Sequence, residues 1–455
     1  MAAPLPHPPR PVRFGTDGLR GKAGEPPLDA DTIRCVGAAL GLWLETQGQP
    51  EKRVLLGNDG RSSAEWILQS LEQGLAAAEA QATDLGLCTT PALASVARRE
   101  GCAAAVMVSA SHNPASDNGI KIFGKGGRKL PDAAEREIER LAATVVPEHL
   151  RRSRSRLRTD LLDRYVEHLG NRFAHLDLSG RKIVVDGANG GGSRLVPRIL
   201  QALGAEVVAI ACAPDGQNIN ADCGALHPQA LAARVVAEHA HFGIALDGDG
   251  DRGIFVDERG QVHDGDAVLA ALGPALARSG RLPHATVVAT VMSNLGLGKA
   301  LTAAGLRLEL TPVGDRHVVQ RMQDGGYGLG GEQSGHIVFA GPGEHTGDGL
   351  YTALELLALE RQQGRGFAAL FAPFQRFPQL LVNVPVGAKP DLATLAPVQA
   401  AVRTVEAQLG SEGRVVLRYS GTENLCRVMV EGPTDELVRQ HAETIAAAVR
   451  AALPA

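Results

Sequence analysis

An α/β fold repeated three times and followed by a smaller α+β domain is predicted by three features of this chain. Strand-like apolar runs alternate with helix-like amphipathic runs, as βαβ units with mainly parallel sheets require. The alternation restarts twice, near Lys182 and near Asp264. After Gln375-Arg-Phe-Pro378 it gives way to a different pattern. With 455 residues the chain is too long for one ordinary core, and the expected segments are 1–155, 156–262, 263–376 and 377–455.

In the first segment, Arg53–Gly57 and Ala103–Val108 read as strands, Ala64–Ala82 as a helix and Pro131–Thr144 as a charged amphipathic helix. The basic, serine-bearing run Arg151–Arg158 reads as a solvated connector. In the second, strands at Lys182–Asp186, Glu206–Ala211 and Phe242–Leu246 alternate with helices at Ser193–Leu203 and Leu231–Ala240. Leu246 and Ile254 flank a loop with no helix between them, so some antiparallel pairing is expected. The third round has a helix at Ala267–Ala277 and strands at Ala285–Val291 and Leu306–Leu310. The last segment offers a strand at Gln379–Val386, a helix at Leu392–Leu409, two strands around Tyr419 and a final helix at Asp435–Ala452.

Composition excludes several function classes. Hydrophobic residues at 44% and charged residues at 21% suit a globular protein rather than a disordered one. A net charge of −4 and only 4% aromatics give no basic or base-stacking footprint, so nucleic acid is not an expected partner. The six cysteines show no C-x-x-C spacing, which suits buried free thiols in a reducing compartment. The proline-rich start lacks the apolar core of a secretory signal, and no uncharged apolar run is long enough for a bilayer. A cytoplasmic protein with no membrane partner is expected.

Four loops carry the candidate chemistry. Asp247-Gly-Asp-Gly-Asp-Arg252 places three carboxylates at alternate positions, an oxygen nest for a hard divalent cation. Gly248, Gly250 and Gly253 match G-x-G-x-x-G, but the aspartates would repel a pyrophosphate and a strand follows instead of a helix. A calcium-hand reading puts Asp247, Asp249, Asp251 and Glu258 at the right spacing. It fails because Arg252 stands where that loop needs glycine and the flanks are strands. A solvated acidic turn is the bland alternative, and crowding of like charges weighs against it. In Gly330-Gly-Glu-Gln-Ser-Gly-His336, Glu332, Ser334 and His336 present a carboxylate, a hydroxyl and an imidazole suited to a sugar, although a plain polar turn would look similar. In Arg418-Tyr-Ser-Gly-Thr-Glu-Asn-Leu-Cys-Arg427, the Ser420, Gly421 and Thr422 groups with Arg427 suggest a phosphate cradle. The fourth loop, Ser109–Gly119 (SASHNPASDNG), follows a strand and offers Ser111. G-x-S-x-G is absent, and His112 as an adjacent residue is a poor base for Ser111, so a phosphate acceptor fits Ser111 better than an acyl acceptor. Lys121, beyond the turn, is a candidate acid or base, and Asn113-Pro114 a simple turn.

Taken in order, these loops resemble those of the α-D-phosphohexomutase family, and most of all its bacterial amino-sugar branch. Phe14-Gly-Thr-Asp-Gly-Leu-Arg-Gly21 resembles its N-terminal motif, SASHNP its phosphoserine loop and DGDGDR its metal loop. GGEQSGH and RYSGTENLCRVMVEG resemble its sugar and phosphate loops, and the likeness runs from about Arg13 to the end. The resemblance implies three related mixed-sheet α/β domains and a TATA-binding-protein-like fourth domain around a central cleft. It implies a phosphorylated Ser111 that binds one Mg²⁺ together with Asp247, Asp249 and Asp251, with Arg20 and Arg252 steadying the transferring phosphoryl group. Lys121 and His336 would be acid–base candidates, Glu332 and Ser334 sugar contacts, and Arg418, Ser420, Gly421, Thr422 and Arg427 the grip on the other phosphate. The implied activity is interconversion of glucosamine 6-phosphate and glucosamine 1-phosphate through a hexosamine 1,6-bisphosphate, with phosphomannomutase/phosphoglucomutase as the alternative. Partners would be small sugar phosphates, and the subunit a monomer or a dimer. Departures from that pattern are Asn424 and Cys426, where the branch has proline and leucine, the altered Asn58-Asp-Gly-Arg61, and the extra proline-rich start.

Overall fold

The structure, a computed structural model, describes residues 12–15, 17–49, 51–145, 155–341, 346–420 and 424–454. The first sheet contains β1 (Leu19–Lys22), β2 (Arg53–Asn58), β3 (Gln81–Leu87), β4 (Ala104–Val108), β5 (Asp117–Gly124), β6 (Arg128–Lys129) and β7 (Arg156–Leu157), in the order β1-β5-β4-β2-β3-β7. Its centre is parallel, β4-β2-β3, while β5 runs antiparallel to β4. The serine loop is the connection between those last two strands, so Ser111 lies at the carboxyl end of a fully buried strand.

The second sheet holds β8 (Lys182–Asp186), β9 (Glu206–Ile210), β10 (Phe242–Leu246), β11 (Gly253–Asp257) and β12 (Val262–His263), in the order β12-β11-β10-β8-β9. β10 and β11 pair antiparallel, with Leu246 opposite Gly253, and the aspartate loop is the turn between them. The third sheet contains β13 (Thr286–Thr290), β14 (Arg307–Thr311), β15 (Leu329–Gly331) and β16 (Ile337–Phe339); residues 332–336 form the β15–β16 turn. The fourth is antiparallel, with β17 (Gln379–Pro385), β18 (Arg414–Tyr419) and β19 (Leu425–Glu431) in the order β17-β19-β18. Helices Ala396–Leu409 and Asp435–Ala452 pack against it.

One apolar core runs through the first three units. Leu55, Leu85 and Phe123 of the first belong to the same cluster as Ile183 and Phe242 of the second and Val287 and Leu354 of the third. The fourth unit has its own core, built on Val384, Val428, Ile445 and Val449. Among the described residues no helix is long and apolar enough to cross a membrane.

Several elements differ from the sequence expectation. The helix expected over 64–82 ends at Ala77; the chain then turns through Glu79 in the left-handed region (φ 58°) and enters β3. An alanine-rich run carries no punctuation that separates helix from turn. Helix Thr90–Arg99 was not expected, and Thr89 caps it by accepting a hydrogen bond from the Ala92 amide. The long helix of the last unit starts at Ala396, behind a 3₁₀ turn at Leu392–Thr394, because Pro397 favours a helix's first turn over its interior. Of the basic connector, residues 151–154 lie outside the described residues, whereas Arg156–Leu157 pairs with Thr83–Asp84 as the edge of the first sheet. The first layer therefore runs two residues past the expected boundary at 155. The six cysteines are free, and all but Cys212 are buried.

Candidate active site

The aspartate loop is a curl of alternating carboxylates that a strand hairpin pushes into the protein. Asp247, Asp249 and Asp251 are 1%, 0% and 4% exposed. One oxygen from each lies within 4.8 Å of the others. Asp249 Oδ1 and Asp251 Oδ1 are buried without a hydrogen-bond partner among the described residues. Buried acceptors of that kind are costly unless a cation or donor faces them. Burial, then Asp251 and Asp249, push the Asp247 carboxyl well above its usual range. The donor set is all oxygen, which suits a hard divalent ion such as Mg²⁺.

Ser111 meets this loop across the junction of two sheets. Its Oγ donates to Asp247 Oδ2 at 2.5 Å, and the residue is 1% exposed. Its backbone takes the left-handed conformation (φ 52°), which non-glycine residues adopt only where surroundings enforce it. The same turn corrects one expectation. His112 Nδ1 lies 3.4 Å from Ser111 Oγ, because the chain here is curled and not extended. Burial, followed by the charges of Arg252 and Arg20, lowers the His112 ring to about 4, so the imidazole is neutral near pH 7. The hydroxyl itself is aimed at Asp247.

Lys121 sits on β5 opposite Met107, and its ammonium lies 2.7 Å from Asp249 Oδ2, 3.1 Å from Asp251 Oδ2 and 3.2 Å from Asp17 Oδ2. Burial alone favours the neutral amine, but Asp17, Asp249 and Asp251 outweigh it and hold Lys121 well above the usual lysine value. It stands here as a fixed cation beside the carboxylates, suited to giving a proton or stabilising charge and poorly suited to act as a base. Arg20 pairs with Asp17 and donates to Ala110 O at 3.2 Å and Asn113 Oδ1 at 3.5 Å, tying the N-terminal motif to the serine loop. Arg252 donates its amide to Asp247 Oδ1 at 3.1 Å, while its Nε is 3.9 Å from both Asp247 and Asp251.

The Gly330–His336 loop is stitched to the aspartate hairpin. The Gly253 amide donates to Gly335 O at 3.1 Å; Gly335 has φ 90°, and a Cβ on it would lie 2.3 Å from Gly253 O, so glycine is required. His336 is 3% exposed, with Nε2 3.7 Å from Asp315 Oδ2. Glu332 accepts from the Gly314 amide at 3.1 Å, and Ser334 Oγ has no partner among the described residues.

In the fourth unit Arg418 and Arg427 are cross-strand partners on β18 and β19. Arg427 Nη2 lies 3.4 Å from Ser420 Oγ, and Ser420 is 3% exposed. Burial and the neighbouring Arg427 charge lower the Arg418 guanidinium from its usual value. Gly421 and Thr422 lie outside the described residues.

Sequence reasoning gave no role to Asp17, Thr90 or Arg61, although Asp17 and Arg61 lie in stretches it quoted. Thr90 gives its amide to Asp249 O at 2.8 Å and its hydroxyl to Asp249 Oδ2 at 2.5 Å, so helix Thr90–Arg99 points its positive end at the aspartate loop. The helix-start sequence Thr-Thr-Pro, residues 89–91, was the available signal.

The chain is similar to known proteins along its length. Residues 11–147, 163–260, 264–377 and 381–448 match, in that order, the three α/β/α domains and the C-terminal domain of phosphoglucomutase/phosphomannomutase. A phosphoglucosamine mutase from Solibacter usitatus is 47% identical over 96% of this chain and 98% of its own length. One from Cereibacter sphaeroides is 46% identical, with the same shares of 96% and 98%. A phosphoglucomutase/phosphomannomutase family protein from Burkholderia thailandensis, solved by X-ray crystallography, is 25% identical. It aligns over 97% of this chain and 99% of its own with a TM-score of 0.79.

Proposed function

The chain belongs to the phosphoglucomutase/phosphomannomutase family, and from that premise we propose that it is a phosphoglucosamine mutase working through a phosphorylated Ser111. Near-half identity to phosphoglucosamine mutases over almost the whole chain supports the amino sugar as substrate. The observation that carries the mechanism is Ser111 Oγ lying 2.5 Å from Asp247 in a buried trio of aspartates.

Phosphoserine 111 gives its phosphoryl group to O1 of glucosamine 6-phosphate; the ester bond to Ser111 breaks and a bond to the sugar oxygen forms. The hexosamine 1,6-bisphosphate turns over in the cleft. Its 6-phosphoryl group then passes to Ser111, and glucosamine 1-phosphate leaves. Asp247, Asp249, Asp251 and a phosphate oxygen on Ser111 would hold one Mg²⁺, which supplies charge stabilisation for the transferring group. Arg20 and Arg252 flank the same point and steady its equatorial oxygens. Lys121 would give a proton to the leaving oxygen, and His336 would take or give the proton of the sugar hydroxyl. Glu332 and Ser334 contact the sugar, and Arg418, Ser420, Gly421, Thr422 and Arg427 grip whichever phosphate is not reacting. Burial of the reacting point favours transfer to the sugar over loss to water. The four segments act as the serine, metal, sugar and phosphate domains, in a cytoplasmic enzyme.

Relative turnover of glucosamine, glucose and mannose 6-phosphates by phosphorylated protein tests the substrate. Glucosamine 6-phosphate should give the highest kcat/KM; dominance of mannose or glucose 6-phosphate would move the chain to the other branch of the family.

A further inference from the structure

The serine loop is held from beneath by a side chain that reaches its main chain and no reacting side chain. Arg61 is 2% exposed, and its Nε donates to Asp59 Oδ2 at 2.9 Å. Its remaining named hydrogen bonds all go to main-chain carbonyls of the loop. Nη2 reaches Ser111 O at 3.0 Å and Asn113 O at 2.8 Å, and Nη1 reaches Asp117 O at 3.0 Å and Pro114 O. Asp59 completes the frame, since its Oδ2 also accepts from Ser109 Oγ at 2.6 Å, and that hydroxyl accepts from the Ser111 amide at 2.8 Å.

A second donor arrives from the other sheet's domain. Asn220, beyond β9, places Nδ2 2.8 Å from Ser111 O and 3.1 Å from Asn113 O, the two carbonyls that Arg61 Nη2 also holds. The aspartate loop packs on the same oxygen: a Cβ on Gly248 would lie 2.5 Å from Ser111 O and 3.0 Å from Asn220 Nδ2. Three segments distant in sequence therefore meet at the Ser111 carbonyl. Its residue stands at φ 52°, a conformation that persists in a non-glycine residue only where neighbours over-determine it.

We propose that Arg61 and Asn220 are positioning residues for phosphoryl transfer, clamping the Ser111 carbonyl from two domains so that Oγ faces the aspartate trio. Neither touches a reacting atom. Without the clamp the peptide can relax from its left-handed conformation and carry Oγ away from Asp247. A displacement near 1 Å at a reacting atom costs up to about 10²-fold in rate. The inference rests on the mutase reading for its kinetic consequence and on geometry alone for its effect on the loop.

Asn220→Gly is the cleanest test, because glycine tolerates the φ of 57° at this position and removes only the amide. With glucosamine 6-phosphate and Mg²⁺, its kcat should fall about 10- to 100-fold while KM stays within about two-fold of the parent and Tm within a few degrees. Arg61→Lys keeps a cation beside Asp59 but cannot span four carbonyls, so it should show the same split between kcat and KM. Should Arg61→Lys fail to fold, Asn220→Gly and Asn220→Asp carry the test. Amide hydrogen exchange over residues 110–118, measured without substrate, should quicken in each folded variant. Unchanged kcat and unchanged exchange in Asn220→Gly would overturn the proposal, as would a rise in KM that accounts for the whole loss. If the parent itself does not turn over glucosamine 6-phosphate, the mutase reading falls, and the exchange comparison alone decides the clamp.

Discussion

Around Asp247 the protein is built as one body, and around Arg427 it is not. The first three domains share a continuous apolar core, and hydrogen bonds between Thr90 and Asp249, Ser111 and Asp247, and Gly253 and Gly335 sew their loops together. The fourth domain encloses a separate core and meets the third through polar contacts. There Glu431, fully buried, accepts from Asn294 Nδ2 at 2.9 Å and from the Leu295 amide, and pairs with Arg414. Arg376 pairs with Asp264 beside it. The difference is one of purpose. Phosphoryl transfer needs ligands fixed to fractions of an ångström, so that site sits on interlocked sheets. The proposed grip, which would accept either end of a bisphosphate, sits on a domain with a core of its own.

The comparison can be broken most sharply at the rigid end. Ser111→Ala removes the phosphate acceptor and should abolish mutase turnover while leaving Tm near that of the parent; measurable activity would move the acceptor elsewhere. Asp249→Asn should lower kcat by about 10²- to 10³-fold with the fold intact, the usual scale for losing one preorganised electrostatic group. Steady-state rates across a Mg²⁺ titration check it, and unchanged turnover would contradict the metal assignment. At the fourth domain the effect should be smaller and fall on binding. Arg427→Ala loses a charged hydrogen bond, typically worth about 1.5–3 kcal/mol, so kcat/KM should drop about 10- to 100-fold. The same substitution should leave phosphorylation of Ser111 untouched by intact mass.

The smallest expected effect concerns the joint between the two bodies. Asp266 accepts from the Asn294 amide at 2.8 Å, and burial raises its carboxyl to about 6. A carboxyl raised on folding binds its proton more tightly in the native state. Its contribution to stability is therefore full below about pH 4 and is lost as pH rises from there to 6. Asp266→Asn keeps an acceptor for that amide and removes the titration. Its Tm relative to the parent should be roughly 2–4 °C more favourable at pH 7.5 than at pH 4.5. A constant difference across that range would remove Asp266 from the account.

The chemistry was legible in the sequence because it depends on residue types at short spacing. Alternating Asp-Gly, a glycine-flanked Glu-x-Ser-x-His and a hydroxyl-rich turn before Arg427 stand out in any context. Ser111 was found for the same reason, and the strand before it showed as a continuous apolar run. What escaped notice works over long range. Arg61 and Asn220 hold Ser111 from 50 and 109 residues away, and nothing local in Asn-Asp-Gly-Arg or Asn-Ile-Asn points to that oxygen. β3 was hidden by an alanine-rich stretch whose turn at Glu79 uses no glycine or proline. The closeness of the His112 ring to Ser111 was not anticipated because alternation of side chains applies to extended chain, and this loop leaves it at Ser111.

The central claim, a phosphate carried by Ser111 and passed to a sugar at the rigid site, is tested most directly by single-turnover transfer. Protein labelled with ³²P at Ser111 is mixed with excess glucosamine 6-phosphate and Mg²⁺, and the label is followed by chromatography. Label should leave the protein and appear in hexosamine phosphates at the rate of turnover. Label that stays on the protein, or leaves only as inorganic phosphate while mutase turnover continues, would contradict the account.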